Sequence, residues 1–300
     1  APIGYVSFTA KLCEERDGDW QQYGRWWKDP ACRIVHFVGE DNTIFHALTW
    51  PAMLLGQGTY QAPWQVVVNA FLNIKFPGQE EQKISKSRGA AIWIEEYLKA
   101  FDPDPLRYYL TAIAPENQRT AFDVDDFVAR NNNELVNVLG NFVNRTVTFA
   151  ERYFEAKVPE PGQREPIDIE HLAIIAGQVE KTGALLDAFK LKAALAEVMV
   201  LARAANRYFD AKEPWNQRKN DMPACGTTIN VCIQTVKALT TLMAPFLPFS
   251  AVKCLKMLGL GTDALTWDEA TREVPAGHAL GRPAILFKKL DPAALFAESD

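Results

Sequence analysis

Residues 83–89 read Lys-Ile-Ser-Lys-Ser-Arg-Gly and place three basic side chains and two hydroxyl groups on one short segment. Lysine supplies a compact point charge, hydroxyl and backbone N–H groups supply directional donors, and glycine permits backbone angles that other residues avoid. This combination suits the binding of a polyphosphate. A solvated basic loop is the more common explanation for such a segment taken alone, because short Lys/Ser runs are frequent.

Regular elements on both sides are expected to position this segment. A strand-like run covers residues 66–74, a turn follows at Pro77-Gly78, and residues 92–98 carry a helical pattern. The segment is therefore predicted to be a loop between a strand and a helix.

A second group of chemically active residues follows another predicted strand. Residues 34–39 form an apolar run typical of a buried parallel strand. Asp41 and Asn42 follow as helix caps, and residues 45–55 read as a helix. Ligands of doubly wound sheets bind beyond the carboxyl ends of the strands, so Asp41 lies where a ligand is expected. Taken singly, Asp41 is as well explained as a helix cap, and His46 and Trp50 as core residues.

One long helix is predicted over residues 126–157. At about 100° per residue the apolar residues share one face, typical of a bundle core: Leu135, Val138, Leu139, Phe142 and Phe149. The polar side carries Asn137, Asn141 and Arg145, although asparagine is a poor helix former. Asn offers both a donor and an acceptor and Arg a rigid fork of donors, which suits the reading of base edges. A plain solvated face is the alternative.

Three more helical segments are predicted after a proline-rich break at residues 158–166, at roughly 168–188, 190–209 and 222–258. Their apolar spacing indicates an antiparallel helical bundle. Trp215 follows Pro214 at a helix start and is either a core residue or an exposed aromatic. The fold class is therefore α/β followed by all-α.

The sequence as a whole resembles the methionyl-tRNA synthetase family of class I aminoacyl-tRNA synthetases. Lys-Ile-Ser-Lys-Ser is similar to the class I Lys-Met-Ser-Lys-Ser signature, with Ile84 in place of methionine. Four further stretches carry the resemblance in the family's order: residues 1–5, 36–54, 133–145 and 213–215. The resemblance implies the C-terminal half of a Rossmann-like catalytic domain followed by an anticodon-binding bundle, divided at 1–83, 84–128 (the loop and a stem-contact connector) and 129–300.

The resemblance also implies a role for each matching residue. Methionine binding falls to Ala1, Pro2, Tyr5, Asp41, Asn42, His46 and Trp50, with Asp41 expected as a buried partner of the ammonium group. ATP binding falls to Lys83, Ser85, Lys86 and Ser87, of which Lys83 and Lys86 are the catalytic candidates. Asn137, Asn141, Arg145 and Trp215 are implied for the CAU anticodon. The implied partners are methionine tRNA, L-methionine and ATP with Mg²⁺. Glu40 stands where the family usually has lysine.

Bulk properties limit the alternatives. The chain has 300 residues, a net charge of −5 and a pI near 5.5, which argues against nonspecific coating of nucleic acid. Five cysteines without a Cys-x-x-Cys pair predict reduced thiols and no metal site, so that zinc is expected only in an upstream part. No membrane span or signal peptide is predicted, and the cytoplasm is the expected location.

The opening Ala-Pro-Ile-Gly-Tyr reads as the inside of a motif. We therefore expect the chain to be the C-terminal portion of a longer enzyme and to be inactive alone. Two alternatives stay open at this stage: a non-catalytic module that binds the tRNA anticodon, and a related class I synthetase for another aliphatic amino acid.

Overall fold

The computed structural model describes residues 2–85 and 91–291. Two compact units divide the chain: Ala1–Leu72 with Pro115–Thr120, and Asn73–Ala114 with Ala121–Asp300. The three-part division made from the sequence stays a prediction. No helix in the described ranges is long and apolar enough to cross a membrane.

The first unit combines a small parallel sheet with helices. Its helices are α1 (Ile3–Asp17), α2 (Gly24–Trp27) and α3 (Trp50–Gln57), and its strands are β1 (Val35–Gly39) and β2 (Gln65–Asn69). β1 pairs with β2 in parallel, with Val35 opposite Gln65 and Gly39 opposite Asn69, which confirms the predicted parallel pairing. The predicted burial of the strand is wrong, because only His36 is buried and Phe37 is 53% exposed. A 3₁₀ turn at Glu40–Asn42 and a π-helix at Phe45–Thr49 lie between β1 and α3. Val6, Trp27, Trp50 and Leu54 form the buried apolar cluster.

A three-stranded sheet follows along the chain in the order β4-β3-β5. Its strands are β3 (Leu72–Lys75), β4 (Gln82–Lys83) and β5 (Thr120–Asp123). The single strand predicted over residues 66–74 is wrong: the run is two strands, because at residue 70 the backbone N–H leaves the ladder and donates to the Pro115 carbonyl at 2.8 Å. The predicted turn at Pro77-Gly78 is confirmed, with Gly78 at φ 70°.

Helices make up the rest of the second unit. They are α4 (Ile94–Ala100), α5 (Pro103–Ala112), α6 (Val124–Arg130), α7 (Asn141–Tyr153), α8 (Pro166–Asp187), α9 (Leu191–Lys212), α10 (Pro214–Asn220), α11 (Met222–Met243) and α12 (Pro248–Leu258). A π-helix at Asn131–Gly140 joins α6 to α7. The large core of this unit lies among α7, α8, α9, α11 and α12.

The sequence placed the bundle helices well but missed their interruptions. The long helix is not continuous α-helix over residues 126–157: it begins at Val124, passes through the π-helix and ends at Tyr153. The segment predicted at 222–258 is two helices, because Pro248 starts a new one. The apolar stripe is confirmed, since Leu135, Leu139 and Phe142 are at most 1% exposed.

Candidate functional site

The first turn of α1 brings Tyr5 to His46. Pro2 is the N-cap residue of α1, with the Pro2 carbonyl accepting from the Tyr5 N–H at 3.1 Å. The Tyr5 hydroxyl lies 2.9 Å from His46 Nε2, and His46 Nδ1 lies 2.9 Å from the Asn42 carbonyl oxygen. A carbonyl only accepts hydrogen bonds. In the neutral ring the proton therefore sits on Nδ1, and Nε2 accepts from Tyr5.

His36 completes an aromatic cluster with these two side chains, and sequence reasoning gave it no role. Its ring lies 5.1 Å from that of Tyr5 and 5.2 Å from that of His46, measured between centroids. It is 7% exposed, and its Nε2 has no hydrogen-bond partner in the described structure. Burial, and second the repulsion from His46, lower the pKa of His36. The sequence feature that could have identified His36 is its position on β1, five residues before Asp41.

Asp41 and Asn42 lie directly beyond β1, in the 3₁₀ turn. Both are exposed, so the expectation of a buried carboxylate at Asp41 is wrong for this structure: the turn directs residues 40–42 away from the small core. The Asn42 amide donates to Asp41 Oδ1 at 3.2 Å. A Cβ built on Gly39 would lie 2.8 Å from Asp41 Oδ1, so glycine is needed at this corner for the carboxylate to hold its position.

Trp50 is a core residue of the first unit. It is 1% exposed and meets Trp27 edge-on at 6.0 Å between ring centroids. Its indole Nε1 has no hydrogen-bond partner in the described structure. Any contribution of Trp50 to a pocket is therefore made from the core beneath it.

Glu40, the departure from the family lysine, forms an ion pair. Arg119 Nη2 lies 2.8 Å from Glu40 Oε1, and both side chains are more than one third exposed. The Arg119 guanidinium also lies 5.6 Å from the ring centre of Phe71. The reversed charge is thus locally neutralised, although solvent keeps an exposed pair weak.

The basic segment leaves β4 at Lys83. Lys83 pairs with Asn73 across the antiparallel ladder and is exposed, and Ser85 is half-buried. Lys86, Ser87 and Ala1 lie outside the described residues. In the described ranges no group of three or more His, Cys, Asp and Glu side chains is placed to hold a metal ion.

The polar side of the long helix presents amides outward. Asn137 lies in the π-helix and Asn141 is the first residue of α7, and both are exposed. Leu135 and Leu139 are fully buried on the opposite side. Burial of the apolar face thus fixes which way the two amides point.

Phe209 on α9 joins two of the predicted anticodon residues, which are 70 positions apart in the chain. The Arg145 guanidinium lies 4.2 Å from the ring centre of Phe209, and Arg145 Nη2 donates to Asp210 Oδ1 at 2.9 Å. The ring of Trp215 lies 6.1 Å from that of Phe209, tilted by 32°, and Trp215 is 38% exposed. Trp215 is therefore not a core residue.

Sequence reasoning missed Phe209 and Asp210. Their spacing on α9 is that of ordinary helix residues, so a helical pattern alone does not single them out. The one available signal is their place immediately before the Glu213-Pro214-Trp215 motif.

Comparison with known proteins assigns the family. Residues 1–147 match tRNA synthetases class I (M), and residues 158–296 match the anticodon binding domain of methionyl tRNA ligase. The chain belongs to the methionyl-tRNA synthetase family. It is 44% identical to a methionine–tRNA ligase of Bacteroides fragilis over 99% of this chain, and 42% identical to one of Pyrococcus abyssi over 97%. The matches cover 43% and 40% of those relatives, so the chain spans less than half their length.

Solved structures of the family share the fold. A Mycobacterium tuberculosis methionyl-tRNA synthetase in complex with methionyl-adenylate superposes with a TM-score of 0.82 and 28% identity, over 94% of this chain and 54% of that one. The apo form of the synthetase from the same organism gives 0.79 at 26% identity, over 92% and 52%. The expected fold class is confirmed: a partial Rossmann-like catalytic region with a small parallel sheet, followed by the helical anticodon-binding domain.

Proposed function

We propose that this methionyl-tRNA synthetase portion activates L-methionine with ATP and passes it to methionine tRNA once the rest of the ligase is present. The observation that carries the proposal is the surface around Phe209, where Arg145 and Trp215 meet on one ring. Asn141 lies one helical turn before Arg145 on α7. Arg offers a fork of donors for a base edge, and an exposed tryptophan offers a stacking face. Unpaired loop bases are the usual target of such a pair.

Methionine recognition is assigned to the cluster at the start of α1. Tyr5 donates to His46 Nε2 when the His46 proton lies on Nδ1, and two aromatic rings of this kind offer a surface that suits a thioether side chain. Asp41, exposed beyond β1, is free of burial and available to the methionine ammonium group. Asn42 and Pro2 border the same region, and Trp50 supports it from the core. Ala1 is assigned to methionine binding from the family resemblance alone.

ATP is assigned to the basic segment, through Lys83, Ser85, Lys86 and Ser87. The methionine carboxylate attacks the α-phosphate, pyrophosphate leaves, and the aminoacyl group then moves to the tRNA 3′ end. Lysines stabilise the charge that develops on the phosphates during this step. Mg²⁺ enters with ATP, and zinc is proposed only for the part of the ligase outside this chain. The methionyl-adenylate bound to the Mycobacterium tuberculosis synthetase supports this chemistry.

Lys86 gives the sharpest test of the ATP assignment. In the complete ligase, Lys86→Ala is expected to lower the turnover of methionine-dependent ATP–pyrophosphate exchange while the KM for methionine changes little, because the lysine acts on the leaving pyrophosphate. Lys256→Ala, an exposed lysine on α12, is the matched control and should behave as the wild type. An equal loss in turnover and methionine affinity would contradict the assignment.

The exposed apolar residues of the first unit support the proposal that this unit packs against further polypeptide in the complete ligase. Phe8, Ile44 and Leu48 are 73%, 68% and 67% exposed around a two-stranded sheet. Such exposure is unusual for a finished domain. We propose that the rest of the ligase covers these residues and that this chain alone does not activate methionine. We also propose that the ligase works in the cytoplasm, which is in keeping with the five free thiols of this chain.

The surface around Phe209 also suits a second candidate function, a tRNA-binding module without catalysis. Two assays distinguish the two candidate functions from each other and from the case in which neither is correct. Binding of a CAU anticodon stem–loop should exceed binding of a loop with one anticodon base changed. ATP–pyrophosphate exchange with methionine, with leucine and isoleucine as controls, is expected only after the remainder of the ligase is added. Selective loop binding with no exchange even then would favour the second function, and no loop preference would overturn both.

A further inference from the structure

The corner between α9 and α10 has an unusual backbone. Glu213 ends one helix and begins the next in the left-handed conformation, at φ 46° and ψ 57°. A residue with a Cβ adopts this conformation only where its surroundings hold it. Its N–H donates to the Phe209 carbonyl at 3.2 Å, and its carbonyl accepts from the Asn216 N–H at 2.8 Å. Two residues after this corner the chain reaches Trp215.

A buried ion pair anchors the end of α9, one residue before the corner. Lys212 is 7% exposed, and its Nζ lies 2.7 Å from Glu165 Oε2 and 3.0 Å from Asp168 Oδ1. Asp168 is fully buried and also accepts from the Tyr208 hydroxyl at 2.6 Å. Glu165 and Asp168 form the capping box at the start of α8. The last turn of α9 is therefore tied to the first turn of α8 by charge-assisted hydrogen bonds.

Phe209 makes the position of this last turn important for Arg145 and Trp215, the two side chains proposed to read the anticodon. It lies three residues before Lys212 on the same helix, so the two share one turn. Arg145 lies over its ring and Trp215 lies beside it. A shift of the end of α9 would move the Phe209 ring, which both Arg145 and Trp215 contact.

We propose that Lys212 is a positioning residue for the anticodon surface: its ion pairs with the buried Asp168 and the exposed Glu165 fix the left-handed corner at Glu213 and so set Trp215 against Phe209. The ligand affected is a loop of unpaired RNA bases, and this consequence rests on the proposed function. The placement of Trp215 against Phe209 does not depend on the proposed function.

Lys212→Met tests the proposal, with Lys237→Met as the matched control. Lys237 is also buried in the bundle, at 3% exposure, but among the described residues its Nζ has no hydrogen-bond partner and lies 3.9 Å from Glu269. The chain is labelled with 5-fluorotryptophan, and the Trp215 line is assigned by its loss in Trp215→Phe. Fluorine NMR then reports the surroundings of Trp215 without any RNA, and stem–loop binding is measured in parallel.

The expected result is a shifted, broadened Trp215 line in Lys212→Met, with the lines of the other tryptophans unchanged. Its affinity for the CAU stem–loop should fall at least about fivefold, the lower end of what one lost base stack causes, and its preference for CAU over a changed first base should fall as well. Lys237→Met should keep both the line and the preference. An unchanged Trp215 line in a folded Lys212→Met, or the same loss in both variants, would overturn the proposal.

Glu165→Gln keeps the test decisive if Lys212→Met does not fold. It weakens one exposed arm of the pair and leaves Asp168 in place, so a smaller shift of the Trp215 line is expected, and no shift would count against the proposal. If the wild-type chain shows no preference for CAU, the proposed function fails, while the NMR arm still decides whether Lys212 positions Trp215.

Discussion

Replacing His171 with phenylalanine is expected to reverse the stability order of variant and wild type between neutral and mildly acidic pH. His171 is 3% exposed and stacks on Tyr208 with ring centroids 4.5 Å apart. The Thr235 hydroxyl donates to the Val231 carbonyl at 2.8 Å and so accepts from His171 Nε2 at 3.1 Å. Phenylalanine keeps the stacking ring and removes only this bond and the titrating group.

The direction follows from the pKa of His171, which is lowered to about 4. Burial is the main cause, and the nearby Asp168 carboxylate opposes it. Because the unfolded value is about 6.5, protons bind the unfolded chain more tightly. The stabilisation is complete above about pH 6.5 and is lost as the pH falls towards about 4.

The magnitude is large enough to measure. A depression of about 2.5 units, at about 1.4 kcal/mol per unit, makes the wild type lose about 2 kcal/mol between about pH 7.5 and about pH 5 through this residue alone. The variant lacks this loss but gives up one neutral hydrogen bond, about 1 kcal/mol. The wild type should therefore be more stable by about 1 kcal/mol at about pH 7.5, and less stable by a similar amount at about pH 5.

Urea denaturation of both proteins, followed by far-ultraviolet circular dichroism across this pH range, measures the difference. The other titrating groups are common to the two proteins and cancel in the comparison. A histidine NMR titration of the folded wild type gives the pKa independently. A stability difference that stays constant within about 0.5 kcal/mol over the range would refute the reasoning.

Two further predictions concern the thiols and the corner after β1. Near neutral pH a thiol reagent should modify the half-buried Cys32 well before Cys254, because burial raises the pKa of Cys254 to about 12. Peptide mapping by mass spectrometry measures the order of modification, and the urea-unfolded chain is the control. In the complete ligase, Gly39→Ala should raise the KM for methionine more than it lowers turnover, because the new Cβ displaces the Asp41 carboxylate. Gly56→Ala, with nothing within 4 Å of its added Cβ, should leave KM unchanged, and equal effects of the two would argue against a role for Asp41.

The core of the bundle was predictable because burial follows helical spacing. Leu135, Leu139 and Phe142 fall on one stripe at about 100° per residue, and all three are buried. That periodicity is local, so seven or eight residues are enough to see it. The same reasoning found Asn137 and Asn141 on the exposed side.

Contacts between distant segments were not predictable in this way. No local sequence pattern indicates that Arg145 lies over Phe209 or that Glu40 pairs with Arg119. The break at residue 70 has the same origin, since its N–H bonds to the carbonyl of Pro115 from a later segment. Tertiary hydrogen bonds overrode a continuous β-propensity there.

The two π-helices among the described residues each contain a predicted site residue: His46 in Phe45–Thr49 and Asn137 in Asn131–Gly140. Such segments are rare and are found often at functional sites. The longer one begins where the Asn131 amide donates to the Lys288 carbonyl at 3.0 Å.

At its other end the longer π-helix leaves little room for a side chain at Gly140. A Cβ on Gly140 would lie 3.0 Å from the Leu135 carbonyl oxygen and 3.2 Å from the Phe287 ring. Residues 287 and 288, near the end of the described chain, therefore contact both ends of the segment that carries Asn137. A segment some 150 residues away thus holds the π-helical stretch that carries Asn137, which is why the exposure of this residue could be predicted from helical periodicity and its π-helical backbone could not.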